Sequence, residues 1–432
     1  MFHYVLGMFE PEESSVSQKF LVPLREAFSK VSSKRKCHSY TDENHLISGV
    51  NRALSDHRSG RAWVQYFQFI STISLTVDGF FKALRSERRA AIIESANQAL
   101  VDEYAVALPE DDPFTSTPEL DKFAIYATDG HSLAHSVHDE TIKDKKRANN
   151  HIFALNLRSR LMEHIALCVP EEDKAKKHEI STLKKLDKKT LRMRQPKGVK
   201  VVHVYDPAIV DYRYWLELKR TGIYIVTVEK EKSAFWRTAI LEFDRNDPRN
   251  LGVISDEYVV TSNEVMIRRI VYEDPVTGRI YKFITTITDK TVPPGAIAFM
   301  YKSRWDIEKA FDQTKNRFME RKSWGKSETS KQQQAHFICL AYNLCALLEK
   351  KLKLEEGIVD EKVRIKQQKR KETEKRQAES AGRKMNSLVM GSCLITQRSS
   401  QFIRWLRVAL DHATPWKRAV SELRPLMIRY LP

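Results

Sequence analysis

The stretch Tyr301-Lys-Ser-Arg304-Trp-Asp-Ile-Glu308-Lys-Ala-Phe-Asp-Gln-Thr-Lys315 decides how the rest of this chain is read. It contains no residue that breaks a helix, and the Pro-Pro-Gly sequence at 293–295 lies just upstream as a stop for the preceding segment. At about 100° per residue, Arg304, Glu308 and Lys315 fall within roughly 60° of Tyr301. The spacing therefore predicts a helix that presents a phenol, a guanidinium, a carboxylate and an ammonium along one face.

An apolar stripe lies beside this polar row. Its members recur at helical spacing and are Met300, Ile307, Phe311 and Phe318. The stripe predicts that one edge of the helix, expected from about Tyr301 to Met319, packs against the rest of the molecule. A row of mixed charges is also typical of a solvated surface, where Glu308 would pair with Arg304 or Lys309. The partners that the rest of the chain supplies must decide between these interpretations.

Composition indicates a large globular protein with a polyanionic partner. The chain has 432 residues, enough for two or three domains, and a formal net charge of +17. Nucleic acid is the commonest partner of such a basic chain. No stretch approaches the roughly 18 apolar residues of a membrane span, and the N-terminus lacks the basic region of a signal peptide. We therefore expect a cytoplasmic protein that does not bind membranes.

The five cysteines are scattered and form no CxxC pair, which argues against disulfides and against a cysteine zinc site. Cys339 and Cys345 lie in an apolar helical stretch and are expected in the core.

The front of the chain, residues 1–118, reads as helical. Basic residues cluster at Lys34–Lys36 and again between Arg85 and Arg89, which fits a DNA-binding or dimerisation region. A scaffold with charged loops explains the same clusters equally well. Residues 109–118 contain three acids and three prolines and are predicted to be a linker.

Residues 119–352 read as an α/β domain. Strands are predicted at 123–130, 152–158, 201–206 and 223–229, with a helix at 208–220 that makes the last two strands a right-handed crossover unit. A β-rich insertion over 231–299 follows, with strands at 235–243, 257–261, 264–272 and 279–288. A second, apolar helix is expected at 331–352. Residues 353–432 are predicted to be a basic helical region, with a charge-dense segment at 361–384 that is either an exposed helix or disordered, and an amphipathic helix at 402–412.

Three carboxylates stand out against this pattern. Asp129 and Asp206 each end an apolar strand, and an acid at the carboxyl end of a strand lies at the rim of the sheet where α/β folds place their ligands. Together with Glu308 they would hold two Mg²⁺ ions roughly 3.5–4 Å apart, with Mn²⁺ as a substitute. Such a pair activates a water or a 3′-hydroxyl and stabilises the leaving oxygen of an in-line displacement at phosphorus. Arg304, Lys315 and Tyr301 would then contact DNA phosphates.

Simpler interpretations exist for several of these residues. Asp129-Gly130 is also a good turn dipeptide, and Asp211, five residues after Asp206, is an alternative acid that also suits a helix cap. Three histidines lie in the predicted loop after the first strand, namely His131, His135 and His138. They could form a zinc site, but they are better explained as the rim of the active site or as polar loop residues.

The chain resembles the insertion-sequence-four family of DDE transposases. The resemblance is carried by Tyr301-x2-Arg304-x3-Glu308-x6-Lys315, by the phrase Ala127-Thr-Asp129-Gly-His131, and by Val204-Tyr-Asp206-Pro-Ala-Ile with the residues that follow it. It extends over roughly Phe123 to Leu352.

The resemblance implies an RNase H-like catalytic core, interrupted by a β-strand insertion before Glu308, and a metal-binding triad of Asp129, Asp206 and Glu308. It also implies that Tyr301, Arg304 and Lys315 grip DNA phosphates near the cleaved end. The activity implied is cut-and-paste transposition by a homodimer that acts on transposon-end DNA and target DNA. Some relatives stack a flipped base on an aromatic residue of the insertion. The candidates for this role here, each better explained as a core residue, are Trp236, Tyr281 and Phe283.

The sequence thus predicts a DNA transposase of a bacterial insertion sequence, working at the nucleoid. Two alternatives stay open at this point. One is an RNase H-like nuclease that cuts without joining, and the other is a domesticated DNA-binding protein without catalytic activity.

Overall fold

The computed structural model describes residues 14–32, 39–57, 59–106, 111–136, 138–139, 141–142, 145–146, 149–171, 177–231, 233–318, 322–391 and 397–428. The predicted basic cluster Lys34–Lys36, the cysteines Cys37 and Cys393, and the predicted helix end at Met319 lie outside the described residues.

The helices are α1 Val16–Ser29, α2 Asp42–Leu54, α3 Gly60–Ile70, α4 Val77–Ala83, α5 Glu87–Tyr104, α6 Glu179–Leu183, α7 Lys188–Leu191, α8 Tyr212–Arg220, α9 Pro294–Ser303, α10 Trp305–Arg317, α11 Glu328–Glu356, α12 Glu361–Ser380, α13 Ser387–Gly391, α14 Ser400–Asp411 and α15 Trp416–Met427. The strands are β1 Phe123–Leu133, β2 Thr141–Ile142, β3 Lys145–Lys146, β4 Asn149–Asn156, β5 Met162–Cys168, β6 Lys200–Val204, β7 Ile223–Val228, β8 Phe235–Ile240, β9 Val253–Thr261, β10 Met266–Glu273 and β11 Ile280–Thr285.

A nine-stranded mixed sheet organises the molecule, in the order β5-β4-β1-β6-β7-β11-β10-β9-β8. The central strands β1, β6 and β7 are parallel, whereas β4 pairs antiparallel with β1 on one side and with β5 on the other. Long apolar runs explain the centre of the sheet, because strands covered on both faces need no polar alternation. The predicted crossover unit is confirmed as β6, α8 and β7.

The predicted β-rich insertion is present as β8 to β11, but it does not form a separate sheet. Strand β11 pairs antiparallel with β7, with Phe283 opposite Val228, so the four strands extend the central sheet. The strands of the insertion therefore belong to the same hydrogen-bonded layer as the parallel strands.

The long helix α11 is the core of the helical layer, and all of its middle turns are buried. Helices α1, α2 and α5 pack on it, so the front of the chain shares one hydrophobic core with the sheet-containing part. Two close contacts fix α2 there. His45 Nε2 lies 2.8 Å from Gln333 Oε1, and Gly49 faces the ring of Phe337 so closely that an added Cβ would overlap it.

The predicted linker is wrong for the part of it that is described, residues 111–118. Phe114 is fully buried with its ring 5.4 Å from that of Phe299, and the Arg158 guanidinium covers it. Thr117 is buried as well. The prolines and acids of this segment therefore shape a packed turn, because one aromatic side chain anchors it to the core.

The C-terminal region is helical, as predicted. The charge-dense segment forms the exposed helix α12, in which only Ala378 is buried, and the amphipathic segment forms α14. The elements that were not predicted are α2, β5, α13, α15 and the two-residue strands β2 and β3. None of the described helices combines the length and apolar composition that crossing a bilayer requires.

Candidate active site

The sheet places Asp129 and Asp206 side by side. Strands β1 and β6 run parallel with Ala127 opposite Val204, and each aspartate follows two residues later. Neighbouring strands lie about 4.8 Å apart, so both carboxyl groups belong to one edge of the sheet. Asp206 is held by its own turn, since its Oδ1 accepts a 2.9 Å hydrogen bond from the amide of Ala208.

Strand β1 does not end at Asp129, and the turn interpretation of Asp129-Gly130 is wrong. The strand continues to Leu133 and pairs with β4 from Tyr126 onward, with Asp129 opposite Phe153. What ends near Ala127 is only the parallel pairing with β6. Gly130 lies against the side chain of Glu179, whose Oε1 would be 2.5 Å from a Cβ at this position. Asp129 therefore projects from a rigid strand instead of a turn.

The predicted helix 301–319 is two helices. The chain becomes helical earlier, at Pro294, where a proline without an amide hydrogen fits the first turn. It then breaks at Arg304, which separates α9 from α10. The amide of Arg304 donates to Tyr301 O at 3.1 Å, and the amide of Ile307 donates to Arg304 O at 3.2 Å, so the tighter i to i+3 pattern replaces α-helical bonds at this point.

Arg304 is the hub of the site. Its Nη1 lies 2.8 Å from Oδ2 of Asp129, and its Nη2 lies 2.8 Å from Oε1 of Glu308. The Arg304 residue is only 6% exposed, whereas the Glu308 side chain is 35% exposed. The guanidinium thus joins the sheet carboxylate to the helix carboxylate. The Arg304–Glu308 ion pair expected for a solvated helix surface is therefore present. However, the same guanidinium also binds Asp129 of the sheet.

The apolar stripe is confirmed. Met300, Ile307 and Phe318 are completely buried and Phe311 is nearly so. The Phe311 ring stacks on His131 of β1 with centroids 4.4 Å apart and planes 17° from parallel. This contact docks α10 on the strand that carries Asp129.

Electrostatics link the three acids. Burial raises the pKa of Asp129 to about 6; Arg304 and the Gly130 amide oppose this, while the charges of Asp206 and Glu308 add to it. Burial also raises the pKa of Tyr301. The charge of Arg304 acts to lower this pKa, and the charge of Asp206 acts to raise it. Asp206 therefore lies near both Asp129 and Tyr301. The cluster is an acidic site in which a cation lowers the energy of the charged carboxylates.

The donor set suits a hard cation such as Mg²⁺, because it consists of carboxylate oxygens only. Across the described ranges, however, no group of three or more His, Cys, Asp or Glu side chains is arranged to hold a metal ion. The Arg304 guanidinium lies between Asp129 and Glu308. The residues therefore fit Mg²⁺ in chemistry, on condition that Arg304 releases its bridge and turns toward another anion.

Lys315 is exposed on α10, two turns beyond Glu308. It lies close enough to His131 that, after burial, its charge helps to lower the pKa of that histidine to about 4. The other two histidines of the predicted cluster, His135 and His138, are exposed in the segment after β1. The structure therefore separates His131, a packing residue of the site's wall, from the two loop residues.

Asp211 makes contacts that stabilise the start of α8. It is the N-cap of α8, where its Oδ1 accepts a 3.0 Å hydrogen bond from the amide of Tyr214, and it pairs with Lys184. Although burial acts to raise its pKa, these partners lower it. Asp206 has no such cap role and lies at the rim beside Asp129.

Sequence reasoning missed Arg160. This buried residue, with φ 61°, lies between β4 and β5 and pairs with Asp306 in the first turn of α10. Lys309 also contacts Asp306, at 2.8 Å. The pair joins positions 146 residues apart, so no local pattern signals it. The Arg160–Asp306 pair fixes the first turn of α10, which lies next to Arg304 and contains Glu308.

A large cleft opens beside Tyr301, which we name the aromatic cleft. It has a volume of about 560 Å³ and lies between β10–β11, α9–α10 and the C-terminal helices α12 and α13. Its walls combine rings and cations: Tyr281, Phe283, Tyr301, Trp305, Lys302, Lys309, Arg370 and Lys371. Of the three aromatic candidates of the insertion, Tyr281 and Phe283 line this cleft, with Phe283 5.2 Å from Tyr301. Trp236 lies on the exposed edge strand β8 instead and is 59% exposed.

Comparison with known proteins gives one family match. The model of the family described as "Transposase DDE domain" matches residues 123–344, just over half of the chain. No curated protein matches it. Among solved structures, the chain is similar to the piggyBac transposase in the cryo-EM structure of its synaptic complex with hairpin DNA, at 11% identity and a TM-score of 0.38, covering 95% of this chain and 82% of that one.

Proposed function

We propose, from the premise that this chain belongs to the transposase DDE domain family, that it is a DNA transposase whose chemistry takes place at Asp129, Asp206 and Glu308. The single observation that carries the proposal is the convergence of these acids. Two come from adjacent parallel strands, and the third comes from a helix that Arg304 ties to the first. All three positions lie within the matched domain.

The order β5-β4-β1-β6-β7, with three antiparallel strands followed by two parallel ones, supports an RNase H-like core. The insertion β8–β11 then enters between Asp206 and Glu308 in sequence. Together with the Tyr301, Arg304, Glu308 and Lys315 spacing, this supports membership of the insertion-sequence-four branch.

The three carboxylates would hold two Mg²⁺ ions, or Mn²⁺ in their place. When bound, such ions activate the attacking oxygen and neutralise charge on the leaving oxygen. The protein's own part is to position these ligands. Asp129 is fixed by the pairing of β1 with β4, and Asp206 by its turn. Asp129 is also the group with the raised pKa, so cation entry favours its deprotonated, ligating form.

Arg304 and Lys315 supply the phosphate contacts. Once released from Asp129 and Glu308, the Arg304 guanidinium would be free to bind a DNA phosphate bidentately next to the reacting group. Lys315 lies about 10 Å further along α10 and reaches the next part of the backbone. Tyr301 donates its hydroxyl at the opposite end of the row, where it faces the aromatic cleft.

The reaction proposed is hydrolysis at each transposon end to free a 3′-hydroxyl, followed by attack of that hydroxyl on target DNA. Two ends must be held at once, so the active species is proposed to be a homodimer that pairs them. The flipped base seen in some relatives would enter the aromatic cleft, with Tyr281 as the stacking partner.

The test supplies purified protein with duplex DNA bearing the inverted repeats that flank its gene, a supercoiled target plasmid and Mg²⁺. A transposase yields target molecules covalently joined to the end DNA. Cleaved ends without joined product would favour a nuclease. Binding of the ends without cleavage would favour a DNA-binding protein without catalysis.

A further inference from the structure

Helix α3 has a solvent-exposed face without acidic residues, and we name it the α3 face. Its exposed members recur at helical spacing over two turns, and they are Arg61, Ala62, Gln65, Gln68 and Phe69. At about 100° per residue, these five positions fall within about 120° of one another. Phe69 is 89% exposed, so an aromatic ring projects into solvent beside an arginine and two amides.

The opposite side of α3 is fixed to the molecule by three other helices. Its buried side chains are Trp63, Val64 and Phe67. The Trp63 indole donates to Asn51 Oδ1 of α2 at 3.0 Å, and its ring lies 4.8 Å from that of Phe80 in α4. The Tyr66 hydroxyl donates to Asp411 of α14. The α3 face is therefore the outward side of a firmly held helix.

Most side chains of the α3 face have no partner within the protein. In the ranges that the structure describes, Arg61, Gln65 and Phe69 form no ion pair, hydrogen bond or ring contact. Gln68 differs, because its amide nitrogen donates to the carbonyl of Leu75. The three side chains without partners are thus available to a ligand.

The charge around the α3 face favours a polyanion. No Asp or Glu occurs from residue 57 to residue 77, although 56 of the 432 residues of the chain are acidic. The basic cluster predicted at 85–89, in contrast, is partly used inside the protein, since Arg88 and Arg89 both bind the buried carboxylate of Asp42. A negatively charged partner is therefore attracted to α3 without opposition from neighbouring carboxylates in the chain.

The side-chain types favour the base edges of DNA over a protein surface. In the major groove, arginine pairs with guanine, glutamine pairs with adenine, and phenylalanine contacts the methyl group of thymine. A protein groove that binds a helix requires several apolar anchors one turn apart, and Phe69 is the only large apolar side chain of the α3 face. The major groove is about 12 Å wide and admits an α-helix.

The turn after α3 supplies groups for the DNA backbone. Thr72 and Ser74 are exposed between α3 and α4. Hydroxyl groups of this kind contact phosphate oxygens and so fix the orientation of a protein on the duplex. Base-reading and backbone-binding groups therefore follow one another in the chain.

We propose that α3 reads the base sequence of the transposon-end DNA from the major groove, with Gln65 as the central contact. The inference rests on the proposed function, because it concerns the DNA on which the transposase acts. Arg61 and Phe69 lie about one turn to either side of Gln65. The three side chains therefore contact neighbouring base pairs, and Gln65 forms two hydrogen bonds with an adenine.

The experiment compares the affinity of the full-length protein for end DNA, the duplex with the inverted repeats that flank its gene, and for a random duplex of the same length. Gln65→Ala is measured beside wild type and beside Gln377→Ala, which removes an exposed glutamine of α12. We expect Gln65→Ala to lower the affinity for end DNA about tenfold, because a bidentate base contact is lost. Its affinity for random DNA should stay the same, and Gln377→Ala should change neither affinity.

A series of end duplexes with single base-pair substitutions then locates the contact. Gln65→Ala should become indifferent at the base pair that Gln65 contacts and should keep the wild-type preference at the other positions. An unchanged affinity of Gln65→Ala for end DNA, or an equal loss for end and random DNA, would overturn the inference. So would a Phe69→Ala variant that keeps the preference for end DNA but changes the oligomeric state, since this assigns the α3 face to a second copy of the chain.

The failure of the proposed function gives a different result. A wild-type protein that neither prefers nor joins end DNA would contradict the proposed function itself. Joining of end DNA by wild type, together with an unchanged preference in Gln65→Ala, contradicts only the inference about α3.

Discussion

At the scale of single residues, the site is defined by paired charges that come from distant parts of the chain. Arg304 joins Asp129 to Glu308, and Arg160 joins the β4–β5 turn to Asp306. A buried pair contributes little compared with an apolar pair of the same shape, but breaking it leaves an uncompensated charge. The Arg160–Asp306 pair is therefore a positioning device whose loss should move α10.

We predict that Arg160→Ala lowers the free energy of unfolding by about 3 kcal/mol, toward the lower end of the range for breaking a buried pair because Lys309 still contacts Asp306. Cleavage should fall as well, since the first turn of α10 loses its anchor. Urea unfolding and an end-cleavage assay measure the two effects. The double variant Arg160→Met with Asp306→Leu should regain most of the stability. A single variant as stable and active as wild type would show that the pair positions nothing.

At the scale of elements, the aromatic cleft separates two roles for the insertion. Strand β11 brings Tyr281 and Phe283 to the cleft beside Tyr301, and the planes of these two rings are 5° from parallel. Trp236 lies instead on the edge strand β8, away from the cleft. Tyr281, the partly exposed ring of this stack, is therefore our proposed stacking partner for a base that leaves the duplex near the cleaved end.

We predict that Tyr281→Ala reduces processing of end DNA about tenfold or more, because stacking of one base on an aromatic ring contributes about 1–3 kcal/mol. Trp236→Ala is the matched control and should leave the rate near that of wild type. Fluorescence of 2-aminopurine placed at the terminal positions reports unstacking directly. Equal loss in both variants would contradict the assignment of Tyr281.

Some elements of the fold can be predicted from local sequence patterns and others cannot. The row Tyr301 to Lys315, its apolar stripe and the β6–α8–β7 unit are local patterns, and the structure confirms the stripe and the unit. The break at Arg304 is not local, because it accompanies a guanidinium that bonds to Asp129, 175 residues earlier. The Asp129-Gly130 dipeptide suggested a turn for a similar reason, since the pairing of β1 with β4 and the contact of Gly130 with Glu179 involve distant parts of the chain.

At the scale of the whole molecule, a group of buried histidines joins the sheet to α11. His151 of β4 and His164 of β5 have ring nitrogens 3.0 Å apart, and the His336 ring of α11 meets that of His164 at 4.9 Å. Burial lowers the pKa of His151 to about 3 and that of His336 to about 4, and it lowers that of His164 as well, with mutual repulsion adding at His151 and His164.

We predict that stability is lost as pH falls below about 6.5, the pKa of these histidines in the unfolded chain. Between that pH and about 4 the unfolded state binds protons that the folded state does not, so each histidine lowers the free energy of unfolding by about 1.4 kcal/mol per pH unit. Urea unfolding at several pH values gives the slope. His336→Phe should reduce it by one histidine's share, while His412→Gln, at an exposed position, should not. A stability that does not change between pH 7 and 5 would contradict the prediction.

The central claim is that Asp129, Asp206 and Glu308 form one catalytic site, and cleavage and joining of end DNA by single carboxylate variants test it most directly. Glu308→Gln and Asp206→Asn should each abolish both chemical steps while binding of end DNA, measured in parallel, stays close to wild type. Asp211→Asn is the control, since it changes only a helix cap, and it should keep both steps. Joined product from Glu308→Gln, or loss of chemistry in Asp211→Asn with Asp206→Asn still active, would contradict the account.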